Sequence, residues 1–257
     1  YPAYNTKKEL NLLNSKDIFT LSGISKKLTI LCREKLNYAF YKSDRYGFNN
    51  PDNVWDEENI EYLFIGDSFV HGECVDEKSN IVGQFRKLTN KNSLNLAMGG
   101  NGPLIELATL IEYGIKVKPK KVFWFYYEGN DLQSDLVREL KVLNLTKYLE
   151  DKYNNNLFNR QEEIDKMNYN FLKNYFYEKE DIKKIDNFKK IKDFLTLKNI
   201  KYFLKDNFSF LETRKYKNLS NTNHNEFAGH IYNINHNSFK KFEEILLKAK
   251  KILKDNG

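Results

Sequence analysis

The chain has 257 residues, 40% of them hydrophobic and 15% aromatic, which is enough for one sizeable α/β core and demands no second domain. Its 42 Lys and Arg against 35 Asp and Glu leave a formal charge of +7, but the lysines are scattered and form no basic stripe with interleaved aromatics; this argues for a solvated surface and against nucleic-acid binding. No apolar run approaches the roughly 18 residues of a membrane span, and the chain contains no recognisable signal peptide.

Residues 1–58 read as a mixed arm packed on the domain, with the stretch from Tyr41 to Asp52 dense in turn formers. Tyr62 to Ile65 is short and wholly apolar, as expected of a strand buried on both faces. Ile81, Val82, Phe85 and Leu88 then fall at helical spacing over 79–89, with Ser79 or Asn80 available as a cap. A second strand is expected near 93–97. After it Gly99, Gly100 and Gly102 crowd before Pro103, which is suited to open a helix over 103–115.

Pro119 separates that helix from Lys121 to Tyr127, the strongest strand by aromatic and apolar content, with Trp124, Phe125 and Tyr127 expected in the core. Beyond Asp131 the spacing predicts helices over 134–149, 160–178 and 180–198, a polar break at 154–156, an asparagine-rich loop over 218–226, and a last helix from Ser238 to Leu253. Strand-helix repeats with short joins imply parallel strands. The expected architecture is a single α/β domain over 1–257: an arm over 1–58, a three-layer, doubly wound parallel-sheet core over 59–131, and a mostly helical portion over 132–257.

Three strand ends carry the chemistry. Residues 63–72 read Leu-Phe-Ile-Gly-Asp-Ser-Phe-Val-His-Gly, a strand that delivers the Ser68 hydroxyl at its carboxyl end, where open parallel sheets place their sites. Gly66 lets the backbone turn sharply there, and Asp67 and Ser68 favour leaving the strand. The second end is Asn95-Leu-Ala-Met-Gly-Gly-Asn-Gly102, whose glycines let backbone N–H groups face a ligand closely. The third is Tyr126-Tyr-Glu-Gly-Asn-Asp131.

Ser, then Gly, then Asn at successive strand ends resembles the SGNH, or GDSL, hydrolase family, whose fold is a flavodoxin-like doubly wound sheet. The match covers roughly residues 60–131. The resemblance implies Ser68 as nucleophile, with its own N–H, the N–H of Gly100 and the side chain of Asn130 forming an oxyanion hole. It implies no cofactor and no metal. One departure is visible, since Glu128 stands where the family's first block III glycine belongs.

A serine hydroxyl needs a base, ideally a histidine held by a carboxylate. The family supplies it from an Asp-x-x-His before the last helix, and no such motif occurs here. Either His230 or His236 serves without the usual aspartate, or the motif lies beyond Gly257. The second is preferred, because the Lys-rich helix and Lys254-Asp-Asn-Gly257 read as a lead into another strand, although Asn199 to Leu204 could supply a fourth strand instead. His71 is too near the nucleophile turn to be the base. His224, His230 and His236, six residues apart, share no helix face, so no metal site is expected.

The resemblance implies a serine esterase acting on small acyl esters, such as O-acetyl groups of carbohydrates. The alternatives are a carbohydrate O-acetyltransferase or a non-catalytic binding domain of the same fold. Cys32 and Cys74 form either one disulfide, in an oxidising compartment, or two unrelated thiols. Because residue 1 is Tyr, and because many similar proteins reside in the cell envelope, an amino-terminal membrane anchor or export signal before Tyr1 is a further expectation.

Overall fold

The computed structural model describes residues 18–34, 37–174 and 237–256. By backbone contacts the chain divides into two compact units, one of Tyr1–Tyr169 with Phe227–Gly257 and one of Asn170–Glu226. The described residues fall almost wholly in the first, which is α/β. The expected helix over 180–198, the loop over 218–226, the segment Asn199 to Leu204, and His224, His230 and His236 lie outside the described residues.

The arm is not irregular throughout. Strands β1 (Leu28–Glu34) and β2 (Asn37–Lys42) form an antiparallel hairpin with a register shift between Ile30 and Cys32. Leu31, Ala39 and Tyr41 pack together on one face while Phe40 is exposed, the period-two alternation of a half-buried strand pair. A disulfide between Cys32 and Cys74 ties this hairpin to the segment after the Ser68 turn. The turn-rich stretch that follows is organised by buried Asp44, which accepts from the backbone N–H groups of Tyr46 and Phe48, from Asn50 Nδ2 and from Trp55 Nε1.

Three parallel strands follow, β3 (Tyr62–Ile65), β4 (Ser93–Asn95) and β5 (Lys121–Trp124), in the order β4-β3-β5. Leu63 pairs with Leu94 on one side and Val122 on the other. As the central strand, β3 has no free edge, and Leu63, Phe64 and Ile65 are at most 2% exposed, as in a parallel strand covered on both faces. Helix α1 (Ser68–His71) leaves β3, α2 (Ile81–Thr89) is capped by Asn80 Oδ1 accepting from Gly83 N–H, and α3 (Pro103–Glu112) begins at Pro103. Every residue of α3 is buried, so it serves as a core helix and not as an amphipathic surface one.

The third strand departs from expectation. Phe125 and Tyr127 are 36% and 41% exposed, and Trp124 is only partly buried. Among the described residues β5 is a sheet edge, which leaves its aromatics half covered. Beyond it the single helix expected over 134–149 is broken into a π-helical turn (Asp131–Asp135), α4 (Leu136–Glu139), α5 (Leu143–Thr146) and a 3₁₀ turn (Lys147–Leu149). The break at Val142 lets Val142, Leu145 and Tyr148 reach the core while Leu143 is 70% exposed. Helix α6 spans 161–174, and α7 (Asn237–Asp255) is the last described element.

Candidate active site

Parallel pairing fixes where the three motif loops emerge. Beyond the paired strands the ladder continues, Leu96 N–H donating to Phe64 O and Phe125 N–H to Ile65 O, both at 2.9 Å. The segments starting at Gly66, Leu96 and Phe125 therefore leave the sheet at one rim.

Ser68 is the first residue of α1, with Asp67 as its cap, the Asp67 carboxylate accepting from Phe69 N–H at 3.0 Å. Gly66 is required by close approach more than by an unusual turn, as its φ is not positive. A Cβ there would meet Val70 Cγ2 at 2.8 Å and Phe125 Cβ at 3.1 Å. Ser68 itself is half-buried, and among the described residues nothing bonds its hydroxyl or its backbone N–H. The latter is one of the orphan donors of a helix start.

The second loop is bound to the first by buried polar side chains. Asn95 Nδ2 donates to Val70 O at 2.9 Å, and Asn95 Oδ1 accepts from Ala97 N–H at 3.0 Å. Gly99 N–H donates to His71 Nδ1 at 3.1 Å, which places the imidazole proton on Nε2, 3.3 Å from the Tyr41 hydroxyl. Burial holds His71 down to about 4, so it is neutral and has both ring nitrogens engaged. It is a strut between two loops and not a free base. Gly100 is buried with φ +88°, a left-handed conformation that favours glycine, and no described residue takes its N–H.

In the third loop Asp131 turns back on its own strand end, its carboxylate accepting from Tyr127 N–H at 2.6 Å. Asn130 Nδ2 donates to Asp135 Oδ2 at 2.6 Å. A carboxamide nitrogen carries two hydrogens, so one remains for another acceptor. Asn130 Oδ1 is buried without a hydrogen-bond partner, as is Asn101 Nδ2, next to Gly100. The rings of Phe69 and Tyr127 meet at 4.9 Å and join the first loop to the third.

Beneath the rim lies an acidic cluster. Glu139 Oε1 and Oε2 accept from the N–H groups of Gly102 and Leu104 at 2.6 and 2.9 Å, filling the start of α3. Burial raises Glu139 to about 8 against the opposing effect of these bonds. Burial, followed by the charges of Asp131 and Glu139, pushes Glu106 well above the carboxylate range, only partly offset by the bond from Trp124 Nε1 to Glu106 Oε2 at 2.5 Å. Neither Glu106 nor Glu139 was singled out by the sequence motifs. Glu139 is 37 residues from Gly102 along the chain, and nothing local marks the pair.

Ser68, Gly100 and Asn130 thus lie on loops at one rim, with two unoccupied N–H groups and an anchored amide among them. A separate cleft of about 330 Å³, lined by Ile111, Ile115, Tyr153, Lys248 and Ile252 among others, opens near the far end of α3 and includes none of the three. The last helix reaches the third loop, where Phe242 of α7 stacks on Tyr126 with ring centroids 5.1 Å apart. Comparison with family models, with curated proteins and with solved structures finds no match to this chain.

Proposed function

We propose that the protein is a serine esterase of the SGNH type, with that family's doubly wound fold, acting on small acyl esters such as O-acetyl groups of carbohydrates. The reading rests on one observation: parallel strands bring three loops to the same rim, and there the Ser68 hydroxyl and the Ser68 and Gly100 N–H groups are unoccupied among the described residues. In the mechanism Ser68 Oγ attacks the ester carbonyl. The negative charge that develops on the carbonyl oxygen is met by those two N–H groups and the second Nδ2 hydrogen of Asn130; collapse breaks the ester C–O bond, the alcohol leaves with the proton the base took from Ser68, and water then hydrolyses the acyl group from Ser68.

His71, the one described histidine, has both ring nitrogens engaged, so the base in this reading lies outside the described residues. The Cys32–Cys74 disulfide favours an oxidising compartment, in keeping with the cell envelope. That no described base bonds Ser68 is the observation on the side of a non-catalytic binding domain.

Hydrolysis of p-nitrophenyl acetate by the full-length protein, measured with and without a sugar acceptor, tests the proposal. Turnover that Ser68→Ala removes is expected. Acetylated sugar in place of acetate would make the protein a transferase, and turnover indifferent to Ser68→Ala would end the esterase reading.

A further inference from the structure

The wide helical turn after the third loop has a consequence for the proposed oxyanion hole. Asp135 N–H donates to Asn130 O at 3.0 Å, an i→i+5 bond, and Leu136 N–H donates to Asp131 O. Such π turns are rare and are enriched at functional sites. Here the turn brings Asp135, five residues on, to the side chain of Asn130. Asp135 is 1% exposed and also pairs with Arg138 Nη2 at 2.8 Å.

An acceptor at that position dictates the amide's orientation. Nδ2 must face Asp135 and Oδ1 must point away, because the reverse would set two acceptors against each other. One turn further on, Glu139 binds Gly102 and Leu104, two and four residues after Gly100. Gly102 is closely enclosed, since a Cβ there would meet Asp135 Cβ at 2.7 Å and Glu139 Oε1 at 2.8 Å. A single short helical segment thus grips the second loop with one carboxyl and the third loop with another.

We infer that Asp135 and Glu139 are positioning residues that set the Asn130 amide and the Gly100 loop relative to each other for transition-state stabilisation, an inference that rests on the esterase reading. They touch no substrate. They act through Asn130 and through the backbone N–H groups of Gly102 and Leu104.

The test uses the full-length protein and p-nitrophenyl acetate. Asp135→Ala is expected to lower kcat about 10- to 100-fold with KM little changed, in line with the sensitivity of catalysis to small misplacements. Asp135→Asn, which keeps an acceptor oxygen, is expected to recover most of that loss. Arg138→Ala, which removes the ion pair but not the acceptor, should leave kcat within about threefold of the wild type. Two further readouts do not need turnover. One Asn130 side-chain amide proton should be shifted downfield in ¹⁵N–¹H spectra and lose that shift in Asp135→Ala, and the Gly102 and Leu104 amides should exchange faster in Glu139→Ala.

Folded Asp135→Ala with wild-type kcat would overturn the inference, as would equal losses in Asp135→Ala and Asp135→Asn. A wild type without Ser68-dependent turnover would defeat the esterase reading. The amide spectra would then decide the clamp alone: a shift that depends on Asp135 supports it, and an unshifted Asn130 signal overturns it.

Discussion

The two flanks of the rim are built differently. On the Ser68 side, the first and second loops are locked by buried side chains: Asn95 on Val70 O, His71 on Gly99 N–H, Asn49 on His71 O, and Asn50 on Asn95 O, with the disulfide holding the hairpin alongside. On the Asn130 side, Phe125 to Gly129 are exposed, and the Asn130 side chain is held by the helical turn that carries Asp135. The proposed nucleophile is fixed by the core, whereas its proposed amide donor is fixed by one turn of helix. Damage on the first flank should therefore appear as lost stability, and damage on the second as lost turnover.

The largest stability effect belongs to the disulfide. Cys32 and Cys74 are 42 residues apart, and closing a loop of that length restricts the unfolded chain by about 4 kcal/mol in the chain-entropy picture. Cys32→Ser with Cys74→Ser is expected to lower the unfolding free energy by up to that amount in denaturant titration. An unchanged midpoint would show that the hairpin is not part of the rigid flank.

His71 gives the next effect, with a defined sign. Its folded-state value is depressed from 6.5 to about 4, so its contribution is complete above 6.5 and disappears as pH falls through 4. The loss amounts to roughly 3 kcal/mol. Glu139, raised from 4.5 to about 8, works in the opposite sense, its contribution being complete below 4.5 and lost as pH rises through 8. Comparing unfolding free energies against pH for the wild type, His71→Asn and Glu139→Gln separates the two. The acid limb should flatten in the first variant and the alkaline limb in the second. A steep acid limb that survives His71→Asn would contradict the strut.

The smallest effect is expected at Tyr127, which is half exposed and in ring contact with Phe69. Tyr127→Ala should cost no more than about 1 kcal/mol by thermal unfolding. A larger loss would place the third loop among the rigid parts.

The same division explains what the sequence could convey. Tyr62–Ile65 was legible as a strand because a run too short for a helix ends in Gly-Asp-Ser, and α3 because Pro103 follows a crowd of glycines. The hairpin carried its period-two signal in Ala39-Phe-Tyr-Lys42, but flanking turn formers masked it. The stretch 134–149 kept helical spacing, yet burying Val142 and Leu145 took a break that no periodicity marks. At the candidate site, the places of Ser68, Gly100 and Asn130 beyond three strand ends were legible in the sequence. His71, Asp135 and Glu139 were not, because their roles depend on partners that are brought near only by the tertiary fold or by an uncommon helical turn.

Peptide mapping after exposure of the full-length protein to a fluorophosphonate tests the central claim most directly. An activated serine should carry the label, so the account predicts an adduct on Ser68 and none in Ser68→Ala. A protein that stays unlabelled, or one labelled at another residue, would contradict it.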